Sequence, residues 1–449
     1  MTLPTPADVV ASLPSGVQRL VVAFSGGLDS TVLLDLACAS GRPVLAVHVH
    51  HGLAAAADDW VTHCESVCQA AGVDLRVERV HVDAHKAGVQ AGARAARYAA
   101  LADALQAGDA LLTAHHAEDQ AETVLLRLLR GTGVDGLGAM SPCQSFGVGS
   151  LIRPLLAYRR AELAAYAEAR GLHWVDDPGN ASLRYDRVRV RQHLLPTLES
   201  EWPGVVHALN ALAHDARADR EARGLLLAPR LEAALLEQDG PMRVSGLAAE
   251  PPVIQCLMLR EWLRSGGIRP PGRRRLEASI AAFVRAAPDR APEMSWPEGR
   301  VARFGDQLYR LPVAWPSVPD NEVVKGPEPR TWPGLGALSW RPVAGQAGLV
   351  PTWLDAGVTA RVMRPGDRLQ IPGRPRRALK SLFREAGIPP WWRLHLPILV
   401  DAVDQPLAVP GIGVDARAAA SGNAVALAPV WAPAERPDAP DWHYFQRGA

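Results

Sequence analysis

Between Val21 and Ser30 the chain reads Val-Val-Ala-Phe-Ser-Gly-Gly-Leu-Asp-Ser, a local pattern that strongly restricts the fold around it. A short apolar run ends in Ser25-Gly26-Gly27, passes Leu28 and Asp29, and opens through Ser30 and Thr31 into the helical pattern Val32-Leu33-Leu34-Asp35-Leu36-Ala37. This order predicts a strand, a tight turn and a helix start. The two glycines let backbone N–H groups face one point with no Cβ in the way. The first helical turn adds unpaired N–H groups at the positive end of its dipole, so the concavity suits an anion such as pyrophosphate. It is a different device from G-x-x-x-x-G-K-[ST], because no lysine follows the glycines.

The first part of the chain continues in the same alternation. Strands are predicted over 20–24, 43–49, 75–82 and 110–113, and helices over 31–39, 56–71, 89–106 and 117–130. Strands alternating with helices imply an α/β domain, a doubly wound parallel sheet of Rossmann-like form covered on both faces. Ligands in such sheets lie beyond the carboxyl ends of the strands, which singles out the loops 25–30, 48–53 and 114–119. At 449 residues two or three domains are expected. The organisation predicted is a catalytic domain over 1–202, a helical domain over 203–311, a proline-rich linker over 312–345, a small α+β domain over 346–430 and a loose tail over 431–449.

Composition excludes several classes. Hydrophobic residues at 48% and charged residues at 21% describe a globular protein and exclude a disordered or fibrous one. No basic segment leads into a long apolar stretch, and no run is long enough to span a bilayer, so a cytoplasmic location with no membrane partner is expected. The five cysteines, Cys38, Cys64, Cys68, Cys143 and Cys256, show no C-x-x-C spacing; Cys64 and Cys68, four apart, read as one packed helix face. The net charge of +1 hides local asymmetry, with lysine only at Lys86, Lys325 and Lys380 and arginine carrying the remaining positive charge.

A second motif runs Thr113-Ala114-His115-His116-Ala117-Glu118-Asp119-Gln120-Ala121-Glu122-Thr123, where a strand gives way to a helix. Asp119 and Glu122 lie three apart and share a helix face. Two acids there can hold a cationic amine or simply cap the helix. Arg130-Gly131-Thr132-Gly133 and Gly136-Leu137-Gly138-Ala139-Met140 follow as a glycine-rich stretch expected to be flexible.

Taken together, these motifs carry a family resemblance. Ser25-Gly26-Gly27-x-Asp29-Ser30 resembles the SGGxDS loop of the ATP pyrophosphatase, or PP-loop, superfamily, whose sheet is of the adenine nucleotide alpha hydrolase type. With it come, in order, His48/His51-Gly52-Leu53, Ala93-Arg94/Arg97-Tyr98, the block 115–123, Arg130 to Leu137 and Ile152-Arg153-Pro154-Leu155-Leu156. Asp177-x-x-Asn180 and Arg187-x-x-x-Arg191 extend the match to about residue 200, and Arg361 to Arg368, Pro389 to Arg393 and Pro397-Ile398-Leu399 resume it. This ordered set is similar to the tRNA(Ile)-lysidine synthetases. Four positions depart from their pattern: Glu118 for Asp, Gln90 for Glu, Val188 for Asn and Ala54 for a basic residue.

The resemblance implies a ligase that adenylates C2–O of the wobble cytidine in the CAU anticodon of tRNA(Ile), releases pyrophosphate, and lets the side-chain amine of free L-lysine displace AMP. It implies that Ser25, Gly26, Gly27, Leu28 and Ser30 cradle ATP phosphates, with Asp29 orienting Mg²⁺ on them. Val47, His48 and His116 would meet the nucleotide, and Asp119, Glu122 and Glu118 the lysine ammonium. Asp29, Arg94, Arg97 and His115 would serve the chemistry, and Arg187 and Arg191 the tRNA. The sequence reveals no protein partner and leaves a homodimer open.

The case for a nucleic acid also stands on charge. From Arg361 to Arg393 nine Lys or Arg face only Asp367 and Glu385, a net of +7, beside Trp391 and Trp392. Basic residues interleaved with aromatics are the footprint of a phosphate backbone and exposed bases. Arg364, Arg368, Arg374, Arg376, Arg377 and Trp391 are the candidates there, and Arg274 in Arg273-Arg274-Arg275 marks a second cluster. Three alternative readings stand beside this one. A PP-loop tRNA thiolase would call for paired cysteines, though Cys143 alone could react; a metabolite amidase would not need the basic C-terminal region; and a non-catalytic tRNA-binding protein would not need an intact loop.

Overall fold

The computed structural model describes residues 2–50, 52, 57–80, 89–175, 186–237, 240–287, 290–311, 313, 321–344, 348–422 and 424–433. They form two units, Met1–Arg223 and Gly224–Ala449, and the division falls inside the helix Val205–Ala234.

In the first unit, Leu20, Val21 and Val22 are wholly buried in strand β1 (Arg19–Ala23) because the sheet is covered on both faces. Leu20 and Val22 pack with Val32, Leu33 and Leu36 of helix α2 (Leu28–Cys38) on one face; Val21 packs with Val47, Leu101, Leu111 and Leu151 on the other. Each such side chain contributes about 1.5–3 kcal/mol on burial. Strands β2 (Val44–His50), β3 (Asp74–Arg79), β4 (Asp109–Leu112), β5 (Cys143–Phe146) and β6 (Gly149–Ile152) complete a sheet of order β3-β2-β1-β4-β6-β5. All pairings are parallel except β5 with β6. The helices are α1 (Pro6–Ala11), α3 (Ala57–Ala71), α4 (Val89–Asp103), α5 (Ala117–Leu129), α6 (Val134–Leu137) and α7 (Arg160–Ala169). The strand order reverses between β1 and β4, so the loops that follow these two strands flank one crevice.

These elements lie within a few residues of their sequence-predicted bounds. Residues 81–82 and 56, at the expected ends of the third strand and second helix, lie outside the described residues. The β5–β6 hairpin was not anticipated; its turn uses Gly147 at φ +54°. Cys64 and Cys68 are buried on one face of α3, and burial pushes their thiols up to about 12 and about 11.

The second unit departs from expectation. The region 203–311 is not helical throughout. Met242–Arg243, Gln307–Leu311, Gly299–Phe304 and Glu293–Trp296 form an antiparallel sheet beside the helices Pro252–Ser265 and Arg273–Arg285. Met294 and Trp296 are buried while Glu293 and Ser295 are exposed, a period of two that makes a strand.

The reading of 312–345 as linker is corrected as well. Glu322–Val324, Arg330–Trp332 and Gly336–Ala344 are strands, the last paired along its whole length with Val425–Pro433. Pro312, Pro316 and Pro319 lie outside the described residues, as does the tail from 434 onward. The core around Leu338, Leu399, Leu407 and Phe383 joins these strands to the unit expected over 346–430. Among the described residues no helix is long and apolar enough to cross a membrane.

Candidate active site

The turn after β1 is built by its own side chains. Ser30 Oγ accepts from the Ser25 amide at 3.2 Å and donates to Gly27 O at 3.0 Å, while Ser25 Oγ lies 3.0 Å from Ser30 Oγ. Thr31 Oγ1 donates to the same carbonyl at 3.0 Å, and Val175 N donates to Gly26 O at 3.0 Å. Gly26 sits at φ +78°, and a Cβ there would come 3.0 Å from Cys64 Sγ. Gly27, at φ −82°, caps α2 and has no atom closer than 3.7 Å to such a Cβ. The two glycines therefore differ. Gly26 is required by the turn itself, whereas Gly27 keeps one side of the helix start bare, as an approaching phosphate needs.

Asp29 stands in the first turn of α2. Burial raises its pKa, against the pull of His116 and Arg160. Its Oδ1 is sealed from solvent and accepts no hydrogen bond. An orphaned buried carboxylate oxygen beside a phosphate-shaped turn fits a hard divalent cation such as Mg²⁺, which takes oxygen ligands and shares them with phosphates.

The second motif lies across the crevice. His116 caps α5 and lies within reach of three carboxylates. Its Nδ1 donates to Glu118 Oε2 at 2.9 Å, and its Nε2 is 3.4 Å from Asp119 Oδ2 and 3.7 Å from Asp29 Oδ2. Burial disfavours charge on this imidazole, yet Glu118, Asp119 and Asp29 outweigh it and raise the pKa. His115 is the opposite case. Burial drives its pKa down to about 3, keeping the ring neutral, with Nδ1 3.0 Å from Thr113 Oγ1.

Asp119 and Glu122 share one face of α5, as the spacing predicts, and two arginines hold them. Arg187 reaches Asp119 Oδ1 at 3.1 Å and Glu122 Oε2 at 2.9 Å. Arg191 reaches Asp119 Oδ1 at 2.6 Å and both Glu122 oxygens at 2.5 and 3.0 Å. Against burial, His116 and these arginines pull Asp119 down to about 2. Arg187 lies in the short helix Asp186–Arg189, and Arg191 in the π-helical turn Val190–Leu194.

Glu118, grouped with the ammonium-binding acids in the sequence, is given to His116 instead. Its other contacts are Arg159 Nε at 2.6 Å and the Arg160 amide at 3.0 Å, and these bonds take it down to about 2 against burial. This glutamate reaches the start of α7.

The remaining candidates fall in different places. Val47 is buried in the sheet. His48 is buried too, with Nδ1 donating to Phe24 O at 3.0 Å, so its side chain supports the loop from beneath. Arg94 is exposed and stacks on Tyr98 at 4.8 Å, with Nη2 donating to the phenol at 3.2 Å. Arg97 lies 5.7 Å over the same ring, and burial lowers its pKa. His51, Leu53, Ala54, Asp177, Asn180 and the side chain of Gln90 lie outside the described residues.

The glycine-rich stretch expected to be flexible is clamped. Gln120 bonds both polar groups of the Met140 backbone, Arg127 reaches Gly136 O, and Arg217 reaches Gly138 O.

In the second unit Arg274, Arg368, Arg374, Arg376 and Arg377 are exposed, and Arg364 is partly exposed and paired with Asp404 at 2.8 Å. Arg374 and Arg377 both pair with Glu385. Trp391 corrects the sequence reading. It is 6% exposed and packs its ring against Phe304 and Tyr309, so no face is available to a base. Arg361 and Arg393, counted in the basic run, are likewise buried: Arg361 between Asp367 and Asp404, Arg393 on Ile388 O.

Sequence reasoning missed Arg159 and Arg160. Their signal was present: two arginines separated from Ile152-Arg153-Pro154-Leu155-Leu156 only by Ala157 and Tyr158, at a helix start.

A doubly wound sheet with this loop at its switch point defines a PP-loop protein, and the family model of the PP-loop domain matches residues 7–198. The TilS substrate binding domain matches 242–309 and the TilS substrate C-terminal domain 358–431. Over 390 residues the chain is 44% identical to the tRNA(Ile)-lysidine synthase of Alkalilimnicola ehrlichii, covering 84% of this chain and 86% of the relative. It is 42% identical over 394 residues to that of Methylococcus capsulatus, covering 84% and 88%, and 39% identical over 411 residues to that of Xylella fastidiosa strain Temecula1, covering 88% and 91%. The chain belongs to the tRNA(Ile)-lysidine synthase family of ATP-binding, tRNA-modifying enzymes.

Proposed function

We propose that the chain joins L-lysine to C2 of the wobble cytidine in the CAU anticodon of tRNA(Ile), as a ligase that forms a carbon–nitrogen bond and converts ATP to AMP and pyrophosphate. One observation carries the reading: Asp29 of the phosphate turn, His116, and the acid pair Asp119–Glu122 meet in a single crevice. An anion site and an ammonium site are thus adjacent, as a reaction between a nucleotide and an amine requires.

In the first step C2–O of cytidine bonds to the α-phosphorus of ATP. The bond from that phosphorus to the bridging oxygen breaks, and its electron pair leaves with pyrophosphate. Ser25, Gly26, Gly27 and Ser30 hold the phosphates through backbone and hydroxyl donors, and His116, whose pKa is raised by Glu118, Asp119 and Asp29, lies where negative charge accumulates. Mg²⁺, held by Asp29 and phosphate oxygens, would supply further charge neutralisation.

In the second step Asp119 and Glu122 bind the lysine ammonium, which gives up its proton to solvent; the freed amine attacks C2, and the C2–O bond breaks with AMP keeping the oxygen. A ring carbonyl oxygen leaves only once it is part of a phosphate ester, after which proximity supplies most of the remaining acceleration. The exposed arginines Arg274, Arg368, Arg374, Arg376 and Arg377 give the second unit a surface suited to the tRNA backbone.

The test supplies purified protein with ATP, radiolabelled lysine and a CAU-anticodon tRNA(Ile) transcript. Label in the tRNA together with lysine- and tRNA-dependent pyrophosphate release is the expected result. Pyrophosphate release with tRNA but no lysine incorporation, or turnover indifferent to tRNA, contradicts the proposal.

A further inference from the structure

The phosphate turn has no lysine of its own, and its neighbourhood is acidic: Asp29, Glu118, Asp119 and Glu122 crowd the same crevice. A triphosphate brings several more negative charges into it. The turn holds the β- and γ-phosphates without a cationic side chain in its sequence, so that charge has to come from another element of the fold.

Most arginines of the crevice are committed. Arg187 and Arg191 hold Asp119 and Glu122, and Arg159 holds Glu118 and Glu199. Arg160 differs. Its side chain is 56% exposed, and among the described residues its nearest carboxylate oxygen is Asp29 Oδ1 at 3.8 Å, beyond hydrogen-bond length. That same oxygen accepts no hydrogen bond. The guanidinium thus stands at the mouth of the phosphate turn, drawn to Asp29 without being fixed there.

The packing of α7 explains why Arg160 lies in this position. Tyr166 OH donates to Asp35 Oδ2 at 2.7 Å, and Arg170 holds the same carboxylate at 3.1 and 3.2 Å. Arg160 therefore meets the first turn of α2, and Tyr166 and Arg170 meet its second half, so the two helices run side by side in one direction. Ala117 N donates to Tyr158 O at 2.8 Å, which ties the start of α5 to the segment leading into α7. The N-termini of three helices, α2, α5 and α7, come together at the Asp29 corner, and their unpaired N–H groups add to the attraction for an anion there. Arg160 is the first residue of the third.

Resting on the proposed two-step reaction, we infer that Arg160 binds the β- and γ-phosphates of ATP and neutralises the charge that builds on pyrophosphate as its bond to the α-phosphorus breaks. The planar fork of arginine matches a phosphate at two points, which a lysine cannot do. The side chain turns from Asp29 Oδ1 to the phosphates, leaving that oxygen to the cation that accompanies them.

The test compares wild type, Arg160→Ala and Arg160→Lys in equilibrium binding of ATP, inorganic pyrophosphate and AMP, each with Mg²⁺. Losing a charge-assisted contact to phosphate weakens binding about ten- to a hundredfold. Arg160→Ala is expected to lose that much for ATP and pyrophosphate and to keep its AMP affinity, since AMP lacks both distal phosphates; Arg160→Lys is expected to recover part of the loss. An equal loss for all three ligands, or no loss for ATP and pyrophosphate, overturns the assignment. Failure of the wild type to bind ATP would instead overturn the reading of the crevice as a PP-loop site.

Discussion

Arg191 grips Glu122 at two points, Nε on Oε1 at 2.5 Å and Nη2 on Oε2 at 3.0 Å, and Nη2 also reaches Asp119 Oδ1 at 2.6 Å. With Arg187 on the same two acids, the carboxylates proposed for the lysine ammonium already have cationic partners. An incoming amine must share or replace them.

Asp119→Asn and Glu122→Gln separate the two steps. Each removes a charge proposed to hold the ammonium and leaves the phosphate turn intact. The half-saturating lysine concentration should rise at least tenfold, while single-turnover pyrophosphate release without lysine persists. Unchanged lysine dependence would remove both residues from the amine site.

The glycines of the turn should respond differently to alanine. Gly26→Ala imposes φ +78° on a residue with a Cβ and pushes that atom to 3.0 Å from Cys64 Sγ. A cost of about 1–2 kcal/mol is expected, read as a lower thermal midpoint. Gly27→Ala has room, with neighbours no closer than 3.7 Å. Its midpoint should match wild type while ATP affinity falls. A Gly27→Ala protein with normal ATP binding would mean phosphate does not approach that backbone.

Glu118 sets a pH dependence. Its folded pKa is depressed to about 2 from an ordinary value of 4.5, since its bonds to His116, Arg159 and the Arg160 amide outweigh burial. A depressed carboxylate contributes stability that is present above the unfolded pKa and is lost as pH falls through the folded one. Solvent screening reduces that contribution to about 1–2 kcal/mol near neutrality. Glu118→Gln should therefore be less stable than wild type at pH 7, and the gap should close between about pH 4.5 and pH 2. Thermal melts across this range check it; a gap independent of pH would mean the carboxylate charge is not what the site uses.

The site was legible in the sequence where chemistry demands a local register. Ser25 to Ser30 and His115 to Thr123 each present their groups from one strand end and one helix start, so spacing alone brought Asp29, His116, Asp119 and Glu122 to the crevice. What the sequence could not show depends on distant segments meeting. Arg187 and Arg191 find Asp119 and Glu122 across 65 to 72 positions, and Arg159 finds Glu118 across 41. The second unit was harder for another reason. Strands of three or four residues such as Glu322–Val324 and Glu293–Trp296 carry too few alternations to stand out against neighbouring prolines or helices. Trp391 and Trp392 follow two prolines inside a basic run and look like surface residues, yet both are core.

That correction divides the basic C-terminal region. Trp391→Ala should cost about 3–5 kcal/mol of stability and leave the salt dependence of tRNA binding unchanged under conditions where the protein stays folded. Substituting Arg374, Arg376 and Arg377 together by alanine should leave stability nearly intact, weaken tRNA binding, and reduce the slope of log affinity against log salt by about one per lost phosphate contact. Filter retention over a salt series distinguishes them. An unchanged slope in the triple variant would make those arginines solvated surface.

The claim that AMP passes from the crevice to a nucleobase is tested most directly with ATP labelled at the α-phosphorus, a CAU-anticodon tRNA(Ile) transcript and no lysine. Label should accumulate on the tRNA and be discharged as AMP when lysine is added, and Asp29→Ala should abolish both. Label appearing on lysine or on the protein, or tRNA that stays unlabelled while ATP is consumed, would contradict it.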